Sequence, residues 1–176
     1  MKHFLLFLVV IFSSMVMAES MQGRIVAVTD GDTLTLLDQE NQVHTVRLLG
    51  IDSPEKGQNF GQVAKQQLAI LAFGREATAY CRKRDRYRRA ICVVKVDVID
   101  IGFEQISRGM AWWYYQYASE QMPAERIAYE KAELEAKNYG RGLWQETAPV
   151  PPWEWRRVHH PKQPIRNLPP RPLAGE

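Results

Sequence analysis

In the stretch Val46-Arg47-Leu48-Leu49-Gly50-Ile51-Asp52-Ser53-Pro54-Glu55, an apolar run carries an arginine near its start and two acids just past its end. Arg47 can fork onto two phosphate oxygens, while Asp52 and Glu55 offer hard oxygens suited to a cation or a water. Together they read as half of a metal-and-phosphate site. Two other segments could supply the rest: Asp30-Gly31-Asp32-Thr33 before the stretch and Asp85-Arg86-Tyr87-Arg88-Arg89 after it. Asp-Gly between β-like runs is a hairpin signal in its own right, but it leaves unexplained the second acid, Asp32, at the start of the next strand.

The elements that must position these residues follow from periodicity. From Gly23 to Leu49 short apolar runs broken at Asp30-Gly31 and Gln39-Glu40-Asn41 predict a three-stranded meander. Ala64, Leu68, Leu71 and Ala72 recur at helical spacing, so one amphipathic helix is expected from Gly61 to Phe73, ending at Gly74. Ala77 to Cys81 and Ala90 to Val98 read as two further strands around a basic hairpin, followed by a short helix over 103–108 capped by Gly109. Pro123 opens an alanine-rich helix through about Lys137, closed by Gly140 and Gly142. Five short strands with about three inserted helices give an α+β, mainly β class. They suit a small, partly open Greek-key barrel, a type whose face and loops bind oligonucleotides or oligosaccharides. Ala111 to Tyr117 holds too many aromatics for one core face. Trp112 and Trp113 are expected to pack between barrel and helix, and Tyr115 and Tyr117 to alternate onto one side where bases could stack.

The 176 residues carry a formal net charge of +3. Residues 1–18 have the form of a secretory signal, with Lys2, an apolar run from Phe4 to Phe12 and a small-residue cut after Val16-Met17-Ala18. The run is short of the roughly 20 residues a spanning helix needs. Removing residues 1–18 takes away Lys2 and no acid, and the charge of +2 that remains is too small by itself to imply a polyanion partner. The distribution says more: Arg82, Lys83, Arg84, Arg86, Arg88 and Arg89 crowd against the single acid Asp85. Such a segment attracts phosphate backbones, although a solvated hairpin tip looks the same in sequence. Cys81 and Cys92, the only cysteines, flank it symmetrically, and in an exported chain an even pair favours a disulfide over a metal site. From Thr147 prolines recur and periodicity is lost. Residues 149–176 are therefore expected to form an extended or disordered basic tail, whose Pro151-Pro152-Trp153-Glu154-Trp155 segment is aromatic enough to dock on the domain.

Taken in order, Asp30-Gly31-Asp32-Thr33, Val46 to Glu55, Asp85 to Arg89, Gly109-Met110-Ala111 and Gly142-Leu143-Trp144 resemble the motifs of the staphylococcal-type thermonucleases, across residues 23–146. The resemblance implies an OB-fold barrel and a calcium-dependent phosphodiesterase that cuts DNA and RNA to leave 3′-phosphate ends. The signal segment adds the expectation of an exported, periplasmic or secreted protein, a monomer with no stable membrane insertion once the signal is removed. Carried over by position, Asp32 and Asp52 would be Ca²⁺ ligands together with the main-chain carbonyl of Ser53. Glu55 would be the general base, Arg47 and Arg89 the phosphate-binding arginines, and Arg86, Tyr87, Tyr115 and Tyr117 nucleotide contacts. Arg88 stands where the family usually has glycine, and the loop after Glu55 is shorter than in the best-known members. A barrel that kept its groove as a binding module would be marked by loss of Arg47, Glu55 or Arg89, and all three are present.

Overall fold

The computed structural model describes residues 19–159; the signal segment 1–18 and the end of the tail, 160–176, lie outside them. The expected meander is formed by β1 (Glu19–Val28), β2 (Thr33–Asp38) and β3 (Val43–Leu48). After it come β4 (Ile51–Asp52), α1 (Gly61–Ala72), β5 (Glu76–Arg84), β6 (Ala90–Val96), β7 (Ile99–Asp100) and α2 (Ile101–Ser107). The chain continues through β8 (Trp112–Trp113), a 3₁₀ turn (Tyr115–Glu120), α3 (Pro123–Asn138), a second 3₁₀ turn (Gly142–Gln145) and α4 (Pro152–His159).

The five long strands make a closed barrel. Antiparallel neighbours run β3-β2-β1-β5-β6, and β3 then pairs in parallel with β6 through Val46–Ala90, Arg47–Ile91 and Leu48–Cys92. Closure gives each of the five a neighbour on both sides, so the barrel is shut rather than partly open. Inward positions of these strands, among them Ile25, Leu34, Leu36, Val46 and Val94, are at most 1% exposed and pack on Leu68 and Ala72 of α1 and Ile101 and Ile106 of α2. The alternation that predicted the strands is thus the alternation that fills the core.

Several element boundaries differ from expectation for local reasons. The strand expected to reach Val98 turns at Asp97, whose φ is 54°, and returns as β7. Helix α2 begins at Ile101 because the Asp100 carboxylate accepts from the N–H groups of Gly102 and Phe103, a cap that the apolar spacing does not reveal. The segment expected to alternate, Tyr115 to Tyr117, is a 3₁₀ turn, in which neighbouring side chains do not take opposite faces as on a strand.

The larger correction concerns the tail. Residues 152–159 form α4 rather than an extended run. Pro152 at the first helical position fixes a helical φ, Glu154 lies in the first turn, and Arg156, Arg157 and His159 lie in the last, all in register with the helix dipole.

The motifs at Gly109 and Gly142 have a structural role. They lie against each other: Leu143 N–H donates to Gly109 O at 2.9 Å, and a Cβ on Gly109 would sit 2.0 Å from Arg141 O. Leu143 is 1% exposed, and Trp144 meets Trp112 edge-on at 5.2 Å. This seam fastens the end of α3 to the segment that joins α2 to β8. Trp112 is buried against it, and Trp113 Nε1 donates to Gln121 Oε1 at 2.9 Å.

Cys81 and Cys92 are direct cross-strand partners on β5 and β6 and are joined by a disulfide. The bond staples the base of the basic hairpin. Replacing both cysteines by serine is expected to lower stability by about 3 kcal/mol from loop-closure entropy, read from urea unfolding. A loss below about 1 kcal/mol would show that the paired strands alone hold the hairpin.

Candidate active site

The site is built by turns at the ends of the barrel strands. Between β1 and β2 the backbone closes by Thr29 N–H donating to Thr33 O at 2.9 Å, and Asp30 Oδ1 accepts from the Asp32 N–H at 3.1 Å. Gly31 does not take a positive φ here. Its requirement is space, since a Cβ would lie 2.7 Å from the Cβ atoms of both Ala64 and Ser53. After β3, Gly50 with φ 76° reverses the chain into β4. A side chain there would be strained and would also strike the Gln121 amide. That reversal brings Asp52 back beside Arg47.

Arg47 is the hub of what results. Its Nη2 donates to Asp52 Oδ1 at 2.7 Å, its Nη1 lies 3.1 Å from Asp32 Oδ2, and Nη1 also donates to Ile51 O at 2.9 Å. Asp32 is 5% exposed and Asp52 1%. Asp32 Oδ2 accepts in addition from the N–H and hydroxyl of Ser53 at 2.8 and 3.0 Å, and Oδ1 accepts from the Thr33 hydroxyl. Burial by itself raises the pKa of Asp32, but Arg47 and these donors outweigh it and hold the carboxyl below its ordinary range. Asp52 is raised, burial prevailing over its guanidinium partners. Burial, joined by the charge of Asp32, pushes Asp30 up to about 7.

Glu55 stands just outside this buried group, its side chain 36% exposed. The short loop after it folds back tightly: Glu55 N–H donates to Gln58 Oε1 at 3.1 Å, and Gln58 N–H donates to Glu55 O at 2.8 Å. On the opposite wall, the basic hairpin is organised by its only acid. Asp85 Oδ1 accepts from the N–H groups of Tyr87 and Arg89, and Oδ2 accepts from Arg89 Nε at 2.8 Å. Arg89 is thereby aimed, with its terminal nitrogens unbonded among the described residues. Arg88 adopts φ 66°, so the turn keeps the left-handed geometry that favours glycine despite its side chain.

These walls enclose one cleft of about 790 Å³. Asp32, Arg47, Asp52, Ser53, Glu55, Arg86, Tyr87, Arg89 and Tyr117 all line it. Tyr115 does not; it lies edge-on to Trp153 with ring centroids 5.9 Å apart. Lining residues that sequence reasoning did not assign to the site include Tyr114, Glu120 and Arg156. Arg156 comes from α4 and binds the carboxylates directly, with Nη2 at 2.7 Å from Asp52 Oδ2 and Nη1 at 2.7 Å from Glu55 Oε1. The helix-start signal at Pro152 announces a helix here, but no local pattern ties Arg156 to carboxylates 101 and 104 residues earlier.

The donor set suits a hard divalent cation. Asp32, Asp52 and Glu55 set against Arg47 leave two negative charges, and carboxylate and carbonyl oxygens are the ligands such a cation takes. Among the described residues no three His, Cys, Asp or Glu side chains form a ready cage. Main-chain oxygen and water would have to complete the shell of the two aspartates.

The family described as Staphylococcal nuclease homologue matches residues 45–146. The chain is similar to an uncharacterized endonuclease of Haemophilus influenzae, 39% identical over 76% of this chain and 72% of the relative. It is 34% identical to an uncharacterized endonuclease of Escherichia coli O157:H7 over 89% and 98% of the two chains. It is 36% identical to a micrococcal nuclease of Shigella flexneri over 78% and 81%.

The burial of Arg47 between two aspartates predicts unequal roles for the two arginines in stability. Arg47→Met should cost about 3–5 kcal/mol, because it strands buried carboxylates, whereas Arg89→Met, whose partner lies in a half-exposed hairpin, should cost no more than about 1 kcal/mol. Equal losses in urea unfolding would contradict this division.

Proposed function

This chain belongs to the staphylococcal nuclease homologue family, and on that premise we propose that it is a calcium-dependent exported endonuclease that hydrolyses phosphodiester bonds of DNA and RNA to 3′-phosphate ends. The observation that carries the reading is the convergence on one cleft of two buried aspartates, a half-exposed glutamate and two arginines. Export to the periplasm or beyond is supported by the signal-like residues 1–18 and by the Cys81–Cys92 disulfide.

Asp32, Asp52 and the Ser53 main-chain carbonyl would hold the cation. When bound, Ca²⁺ supplies Lewis-acid neutralisation of charge on the scissile phosphate. Arg89, oriented by Asp85, reaches the phosphate with its free terminal nitrogens. Arg47 is held beside both aspartates and presents its positive charge where negative charge builds during attack. Glu55 takes a proton from the attacking water as the new P–O bond forms. The bond from phosphorus to the 5′ oxygen breaks, the leaving alkoxide gains a proton, and the products are a 3′-phosphate and a 5′-hydroxyl. Arg86 and Tyr87, where the Arg86 guanidinium lies 4.7 Å from the Tyr87 ring, and Tyr117 at the cleft rim offer charged and flat surfaces to the nucleotides.

Purified mature protein should degrade DNA and RNA with Ca²⁺ and stop when the metal is chelated. Glu55→Gln should keep the fold and nucleotide binding while turnover drops by about 10²–10⁴-fold, the usual worth of a positioned base. Undiminished cleavage in chelator would overturn the calcium dependence, and full turnover by Glu55→Gln would remove Glu55 as the base.

A further inference from the structure

Helix α4 reaches the cleft from outside the barrel, and three of its fastenings converge on the reacting groups. Gln58 Nε2, from the loop that follows Glu55, donates to Val150 O. Trp153 stacks on Tyr114, with centroids 5.2 Å apart and planes inclined by 4°, and Tyr114 lines the cleft. Arg156 then spans Asp52 and Glu55: Nη2 to Asp52 Oδ2 at 2.7 Å, Nη1 to Asp52 Oδ1 at 3.2 Å and Nη1 to Glu55 Oε1 at 2.7 Å. Both oxygens of Asp52 therefore face a guanidinium, since Oδ1 also accepts from Arg47. With a cationic donor on each oxygen, such a carboxylate repels an approaching cation as long as Arg156 stays, and a glutamate so held is poorly placed to take a proton from water.

Little of the attachment of this helix is apolar burial: Pro152 is its one fully buried residue, with Trp153 and Trp155 half-buried. The helix is held mainly by the Trp153 stack and the Arg156 ion pairs, and local opening of such a segment costs far less than unfolding. The electrostatics point the same way. Of the two negative charges that Arg47 leaves uncompensated, Arg156 covers one, while a divalent cation in its place would cover both.

Resting on the calcium reading above, we propose that α4 is an autoinhibitory strap: the Arg156 guanidinium holds Asp52 and Glu55 where a divalent cation would bind, and cation binding displaces it. The strap raises the calcium concentration at which the site assembles. An occupant that fills the site in about nine molecules of ten weakens apparent metal affinity by about tenfold, because only the open fraction binds.

The test is calorimetric titration of CaCl₂ into the mature full-length protein, Arg156→Ala and Trp153→Ala, with hydrogen exchange of residues 150–159 followed in the unsubstituted protein. Trp153→Ala loosens the strap without altering any charge in the cleft. Expected are tighter Ca²⁺ binding by both variants, by about tenfold for Arg156→Ala if the strap is closed in about nine molecules of ten and by less for Trp153→Ala, and faster exchange of the α4 amides at saturating Ca²⁺. Unchanged affinity in both variants, or α4 protection that persists at saturating Ca²⁺, would overturn the strap alone. Tighter binding by Arg156→Ala only would reduce Arg156 to a nearby charge and overturn it too. Absence of Ca²⁺ binding by all three proteins would overturn the calcium reading and the strap with it.

Discussion

The structure depends on one buried arrangement, the Arg47 guanidinium lying between the carboxylates of Asp32 and Asp52. Two aspartates this deeply buried would not both stay ionised without a partner, since desolvation penalises charge and the two repel. Arg47 resolves that conflict while leaving the group short of positive charge. Two carboxylates against one guanidinium leave the group one negative charge, which Arg156 covers in this structure. Two turns and one hydrogen-bonded link serve it, each under its own constraint. Gly31 gives the space for the β1–β2 turn to pack on Ser53, Gly50 reverses the chain behind Arg47, and Ser53 ties Asp32 to the segment that carries Glu55.

The closed barrel explains why this arrangement is rigid. Arg47 sits on β3, which pairs with β2 on one side and with β6 on the other, opposite Thr33 and Ile91. Its backbone is fixed from both directions, and the same parallel pairing places the β5–β6 hairpin, with Arg89, across the cleft from Glu55. The disulfide at Cys81 and Cys92 lies one residue beyond the Arg47–Ile91 pair. Catalytic geometry and barrel closure are therefore one structural problem with one solution.

Much of this was legible in the sequence, and the reasons differ by residue. Arg47, Asp52 and Glu55 stood out because one short segment combined charge types that ordinary strands and turns do not require. Cys81 and Cys92 were legible because a hairpin puts symmetrically placed residues opposite each other. Tyr115 was misplaced because alternation was read into a segment that forms a 3₁₀ turn, leaving Tyr114 on the cleft wall instead. Arg156 was not legible at all as a site residue. Its partners lie 101 and 104 residues earlier, and neither periodicity nor local charge pattern reports contacts of that range. The parallel closure of β3 on β6 escaped for the same reason.

The account stands or falls on whether the two buried aspartates form a cation site. Calorimetric titration of Ca²⁺ into Asp52→Asn, beside the unsubstituted protein, addresses this without relying on turnover. The account predicts a single Ca²⁺ site in the unsubstituted protein and its loss in Asp52→Asn, with the fold retained by circular dichroism. Ca²⁺ binding of equal affinity in Asp52→Asn would contradict it.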